Sequence, residues 1–125
     1  MIVGTGIDIC EVHRIRESIE RFGDRFLRRC FTAREIAYCQ SKANFAERFA
    51  ARFAAKEAAM KALGTGLSQG ISWQHLEVGH APGGRPTLLL TERAAEIAKR
   101  LAANHTHLSL THVRDQAVAM VVLES

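Results

Sequence analysis

The sequence predicts an α+β domain in which helices pack on a mainly antiparallel sheet. Three observations carry that expectation. Ile2 to Ile9 is short and β-branched, with small residues between; about Asn44 to Leu63 is dense in alanine and free of Gly and Pro; and two strand-like runs around Arg114-Asp115 close the chain. At 125 residues the chain is the size of one ordinary domain, so residues 1–125 are expected to share one core that needs no metal or disulfide staple.

The elements follow in order. Ile2 to Ile9 reads as a strand whose C-terminal end delivers Asp8. Val12, Ile15, Ile19 and Phe22 recur at helical spacing, and Gly23 stops that helix. Thr32 followed by Glu35 is a capping-box signature for a helix carrying Ile36, Tyr38 and Cys39 and ending near Lys42. The central helix from about Asn44 to Leu63 closes at Gly64 and leads into Gly64-Thr65-Gly66. Ile71 to Gly79 and Thr87 to Leu90 read as strands joined by a loop rich in Pro and Gly, and a helix follows from Thr91 or Glu92 to about Ala103. His107 to Val113 and Gln116 to Leu123 form the final hairpin.

Composition excludes several classes. The apolar runs are far too short to cross a bilayer, so no membrane association is expected. Met1 to Ile9 has no basic region before it and is interrupted by Asp8, which speaks against an export signal and for the cytoplasm. Cys10, Cys30 and Cys39 are odd in number and lack paired ligand spacing, so they read as buried thiols in a reducing compartment. A net charge of +4 favours an anionic partner: nucleic acid, a phosphorylated cofactor or an acidic protein.

The central helix carries the chemistry. At about 100° per residue, Phe45, Phe49, Phe53, Met60 and Leu63 form one stripe, and Ala51, Ala55, Ala58 and Ala62 cover the opposite side. Glu57 and Lys61 project together beside the aromatic stripe, with Arg52 and Lys56 on or near its other flank. Two readings stand at this point. Glu57 and Lys61 form an i,i+4 ion pair on an exposed flank, or Glu57 binds a hard metal through oxygen while Lys61, Lys56 and Arg52 neutralise phosphates.

Gly6-Ile7-Asp8-Ile9, together with Arg52-Phe53-Ala54-Ala55-Lys56-Glu57-Ala58-Ala59-Met60-Lys61-Ala62-Leu63-Gly64-Thr65-Gly66, strongly resembles the two signatures of the 4′-phosphopantetheinyl transferase superfamily. Ser109-Leu110-Thr111-His112 and Ala117-Val118-Ala119 look like the small bacterial branch of that family. The resemblance spans essentially the whole chain and is weakest from Gly70 to Gly84.

The resemblance implies a Mg²⁺-dependent transfer of phosphopantetheine from coenzyme A to a serine of an apo acyl carrier protein, with release of 3′,5′-ADP, in support of fatty acid biosynthesis. It makes Asp8 and Glu57 the metal ligands and places Lys61 on the reacting phosphate, leaving the base for the carrier serine open between a water on the metal, Glu57 and Lys61. Arg52, Lys56 and His112 are its candidate contacts to the phosphates at the nucleotide end, and Gly64, Thr65 and Gly66 a turn whose amides approach that ligand. Arg14 is the leading carrier-protein contact on a helix rich in arginine. Such small members associate as homotrimers with sites in the clefts between subunits. Thr111 departs from the serine that often precedes the histidine, keeping the hydroxyl and adding a methyl.

Plainer alternatives exist for each residue: a turn-forming aspartate for Asp8, an edge histidine for His112, and a solvated helix face for the arginines. A non-catalytic nucleic-acid-binding module would use the basic balance, but it has no use for Asp8 or Glu57, and no strand interleaves basic and aromatic residues. No nucleic-acid partner is expected.

Overall fold

A computed structural model describes residues 1–125. The chain runs β1 (Ile2–Glu11), α1 (Val12–Phe22), α2 (Asp24–Cys30), α3 (Ala33–Gln40), α4 (Phe45–Leu63), a 3₁₀ turn (Trp73–His75), β2 (Leu76–His80), β3 (Pro86–Leu90), α5 (Glu92–Arg100), β4 (His105–His112) and β5 (Gln116–Glu124). The strands divide into two antiparallel sheets, one of order β1-β5-β4 and a ribbon of β2 and β3. Thr106 Oγ1 on β4 donates to the Leu88 carbonyl on β3 at 2.9 Å, joining them. The α+β expectation holds, with the strands shared between two sheets.

Helix α4 lies across the three-stranded sheet because both surfaces are small. Ala51, Ala55, Ala58 and Ala62 are all buried, opposite a sheet face that includes Gly4, Gly6, Ala117 and Ala119. A Cβ on Gly6 would run into the Ala58 carbonyl oxygen, with Ala58 C at 2.9 Å and Ala62 N at 3.0 Å. Gly6 is therefore required by helix–sheet distance. On the other flank Phe49 packs on Phe31 with ring centroids 4.8 Å apart, and Phe53 stacks on Trp73 at 4.7 Å.

Several boundaries differ from the sequence reading. β1 continues to Glu11 because β5 pairs with it down to Gln116, so Asp8 sits inside the strand and not at its end. α2 was not anticipated as a helix; Gly23, at φ 55°, breaks the chain direction between α1 and α2. The strand expected from Ile71 begins only at Leu76, since Ser72 caps a 3₁₀ turn by accepting the Gln74 N–H. α5 ends at Arg100, and Ala102 takes φ 58° to turn the chain into β4, which starts at His105. The Thr32–Glu35 capping box forms as predicted, with the Thr32 N–H donating to Glu35 Oε1 at 2.7 Å. No helix is long and apolar enough to cross a membrane.

Candidate active site

Folding brings Asp8 and Glu57 to one cleft. Asp8 projects from the α4-facing side of β1, as Gly6 and Cys10 do, and its side chain keeps 13% exposure. Glu57 lies about two-thirds of the way along α4 and Lys61 one turn later. Lys61 Nζ donates to Asp8 Oδ1 and to the Ile7 carbonyl, each at 2.9 Å. Lys61 thus pairs across elements with Asp8; no i,i+4 ion pair with Glu57 forms, and the exposed-flank reading gives way. A cavity of about 480 Å³ opens over the two carboxylates, lined also by Arg14, Cys10, Phe26 and Phe53.

The cleft has a surplus of negative charge at its floor. Burial pushes the Glu57 carboxyl above the usual range, and the charge on Asp8 pushes the same way, against Lys61 and Arg14. A carboxyl raised on folding is easier to protonate in the folded chain, so ionising Glu57 as pH rises through its unfolded value costs stability. A bound cation reverses that cost. Burial and the neighbouring Glu57 hold the Cys10 thiol at about 11, so Cys10 stays a neutral packing group.

The donor set suits one kind of ion. No group of three or more His, Cys, Asp or Glu is arranged to hold a metal, which argues against a zinc-type cage. Two carboxylates at an open cleft fit Mg²⁺, which is commonly held by one or two carboxylates plus substrate phosphates and waters.

Apart from Arg14, the remaining predicted residues lie elsewhere, and Lys56 and the Gly64-Thr65-Gly66 turn need correction. Lys56 is fully buried, its Nζ donating to Glu35 Oε1 at 2.7 Å and to the Trp73 carbonyl at 3.0 Å, so it is not a phosphate contact. Burial draws its ammonium below the usual lysine range, while Glu35 holds it up. At Gly64 to Gly66 the three amides close the helix: Gly64 N–H donates to Lys61 O at 3.0 Å, and those of Thr65 and Gly66 to Met60 O at 3.1 and 3.4 Å. The turn therefore offers open space rather than free amides.

Arg52 lies about 140° around α4 from Glu57, on the flank facing α3. It is 3% exposed, its guanidinium stacks 4.5 Å over the Tyr38 ring, and its Nε has no partner. A second cavity of about 380 Å³ opens there, lined by Arg34, Tyr38, Arg52 and His80. Burial and then the charges of Arg52, Arg48 and Lys42 hold His80 below its usual value; these three make the flank cationic, although Glu77 also lines the cavity and pairs with Arg34 at 3.8 Å. His112 Nδ1 stands 3.4 Å from Glu47 Oε2 without completing a hydrogen bond, at the start of α4 and roughly 15 Å along its axis from Glu57. Tyr38, His80 and Arg34 were missed by sequence reasoning because they come from two elements distant in sequence, α3 and β2, which meet only on folding.

A basic surface borders the first cleft. Arg14 and Arg21 line it, and Arg25 and Arg29 continue it beside Phe22 and Phe26, around a further cavity of about 400 Å³. All four arginines are exposed.

Paired carboxylates, a lysine on one of them and fixed cations nearby are the groups that phosphoryl transfer can use. The profile of the 4′-phosphopantetheinyl transferase superfamily matches residues 4–121. The chain belongs to that superfamily and is, with it, a transferase enzyme. It is 61% identical over 124 residues to the holo-[acyl-carrier-protein] synthase of Koribacter versatilis (strain Ellin345), covering 99% of each chain. Among solved structures it resembles the holo-[acyl-carrier-protein] synthase of Neisseria meningitidis, with TM-score 0.91 and 31% identity over 100% of both chains. The Bacillus anthracis holo-(acyl-carrier-protein) synthase in complex with CoA (3′,5′-ADP) matches at TM-score 0.82 and 38% identity, over 100% of this chain and 98% of that one.

Proposed function

We propose that this chain transfers 4′-phosphopantetheine from coenzyme A to a serine of an apo acyl carrier protein, with Mg²⁺, releasing 3′,5′-ADP, as one 1–125 domain serving fatty acid biosynthesis in the cytoplasm. The observation that carries the reading is the meeting of Asp8, Glu57 and Lys61 at one cleft bordered by arginine. The relatives' names point the same way. Three free buried cysteines suit a reducing compartment.

In this reading Asp8 and Glu57 hold the cation, which supplies charge neutralisation for the pyrophosphate when bound. Lys61 offers its ammonium to the transferring phosphoryl group, having Asp8 as its resting partner. The serine oxygen gives up its proton to the base, one of a water, Glu57 or Lys61, and forms the new P–O ester bond; the pyrophosphate P–O bond breaks, and the electron pair leaves with 3′,5′-ADP. Phe26 and Phe53 exclude water from one wall.

Arg52 and His112 fit the nucleotide end, yet they lie on other faces of α4 from Glu57. A homotrimer resolves this: the cationic flank of one copy meets the carboxylate cleft of the next. The outer face of the three-stranded sheet suits such contacts, since Ile7, Ile9 and Met120 are 61%, 58% and 47% exposed, with Ile7 opposite Met120 in register. Met120→Glu is expected to shift the sedimenting species from trimer to monomer and to remove most transfer activity. A monomeric wild type with full activity would contradict the assembly.

Arg14 and its neighbours form the carrier-docking surface. Arg14→Glu is expected to raise KM for the carrier about tenfold or more and to weaken its salt dependence, with kcat little changed, by steady-state kinetics across ionic strength. An unchanged KM would remove Arg14 from the docking surface. The reaction itself is tested by mass spectrometry of apo carrier incubated with coenzyme A, Mg²⁺ and the protein: a gain of one phosphopantetheine mass, absent with a chelator, is expected. No gain with authentic carriers would refute the function.

A further inference from the structure

We propose that the buried Glu35–Lys56 pair is a positioning device for the reaction, which sets the rotation of α4 and so aims Glu57 and Lys61 at Asp8. The inference rests on the assignment of those three residues as the reacting set. Lys56 directly precedes Glu57, and both side chains of the pair are at 0% exposure. Its Nζ reaches Glu35 Oε1 and the Trp73 carbonyl, and lies 5.4 Å over the Phe31 ring. Glu35 is itself held by N–H groups of Thr32 at 2.7 Å and Val78 at 2.8 Å. Four segments, α3, the 3₁₀ turn, β2 and α4, are thus tied at one point on the residue that precedes Glu57.

The rest of α4 explains why such a tie is needed. Its sheet-facing side is alanine, which meets glycine and alanine on the strands and offers few knobs to resist rotation. With side-chain atoms about 6 Å from the axis, a rotation of about 20° displaces the Glu57 carboxylate by about 2 Å. Misplacement of even about 1 Å costs roughly a hundredfold in rate. A pair of apolar residues would serve stability as well, so the ion pair has its distinctive use in direction: two acceptors, Glu35 Oε1 and the Trp73 carbonyl, define where Nζ sits, and the Thr32 and Val78 N–H groups fix Glu35 in turn.

The experiment compares the wild type, Lys56→Met, Glu35→Gln/Lys56→Met and Glu57→Gln. Lys56→Met alone leaves Glu35 buried and unpaired, and its melting temperature is expected to fall by ten degrees or more. The double variant removes both charges and is expected to recover most of that loss. Its kcat is expected to stay at least tenfold down, its KM for the carrier within about threefold of wild type, and its Mn²⁺ affinity in the presence of coenzyme A, read by electron spin resonance, weakened about tenfold. A folded double variant with wild-type kcat and Mn²⁺ affinity would overturn the inference. A double variant that fails to fold would overturn it too, because the pair would then serve the fold as a whole. Full activity in Glu57→Gln would instead refute the site assignment, whereas an inactive Glu57→Gln beside a fully active double variant refutes only the positioning role.

Discussion

Asp8→Ala or Glu57→Ala is expected to lower kcat/KM for phosphopantetheine transfer by about a thousandfold or more, with the fold intact. The two residues come from β1 and from the C-terminal half of α4 and meet at one cleft, so the proposed cation would depend on both. Neither supports the core: Asp8's only side-chain partner is the exposed Lys61, and Glu57 makes no side-chain hydrogen bond or ion pair. Glu57→Ala should even melt slightly above wild type when metal is absent, since burial and Asp8 both disfavour its charge. Melting curves alongside the transfer assay check both parts. Full activity in either variant would remove that residue from the metal site.

Gly6→Val is expected to produce the second large effect, a loss of about 3 kcal/mol or more, near the upper end for overpacking. The new side chain would point at α4, where the Ala58 carbonyl oxygen and Ala62 N leave no room, and helix backbone cannot step aside as a flexible side chain would. Relief requires α4 to lift off β1, which separates Glu57 from Asp8. Activity is therefore expected to fall more steeply than the folded fraction. Denaturant unfolding and the transfer assay on the same preparation measure the two losses; a variant of unchanged stability would show that α4 does not need the glycine.

Much of this was legible in the residues. The alanine-rich run from Asn44 to Leu63 foretold the long central helix, and the Thr32–Glu35 box foretold the start of α3. That Asp8, Glu57 and Lys61 meet at one cleft was expected because strand and helix periodicity, with the resemblance, put them in register. Lys56 was misread because a helical wheel shows direction and not depth: it faces the α3 and β2 side, where Glu35 waits after folding. Gly64 to Gly66 misled for a similar reason, since the same glycine chemistry that admits a ligand also closes a helix. The cationic flank of Arg34, Tyr38 and His80 had no sequence signal, because its members lie on α3 and β2 and converge only through tertiary contact with α4. α2 carried a weak one in the spacing of Phe26, Leu27 and Cys30, masked by its many arginines.

Titrating Mn²⁺ into the protein with coenzyme A, followed by electron spin resonance, tests directly whether one divalent ion is gripped by two carboxylates from separate elements. One tight ion per chain in the wild type, lost or weakened at least tenfold in both Asp8→Asn and Glu57→Gln, is the predicted result. Undiminished Mn²⁺ binding in either variant would contradict it.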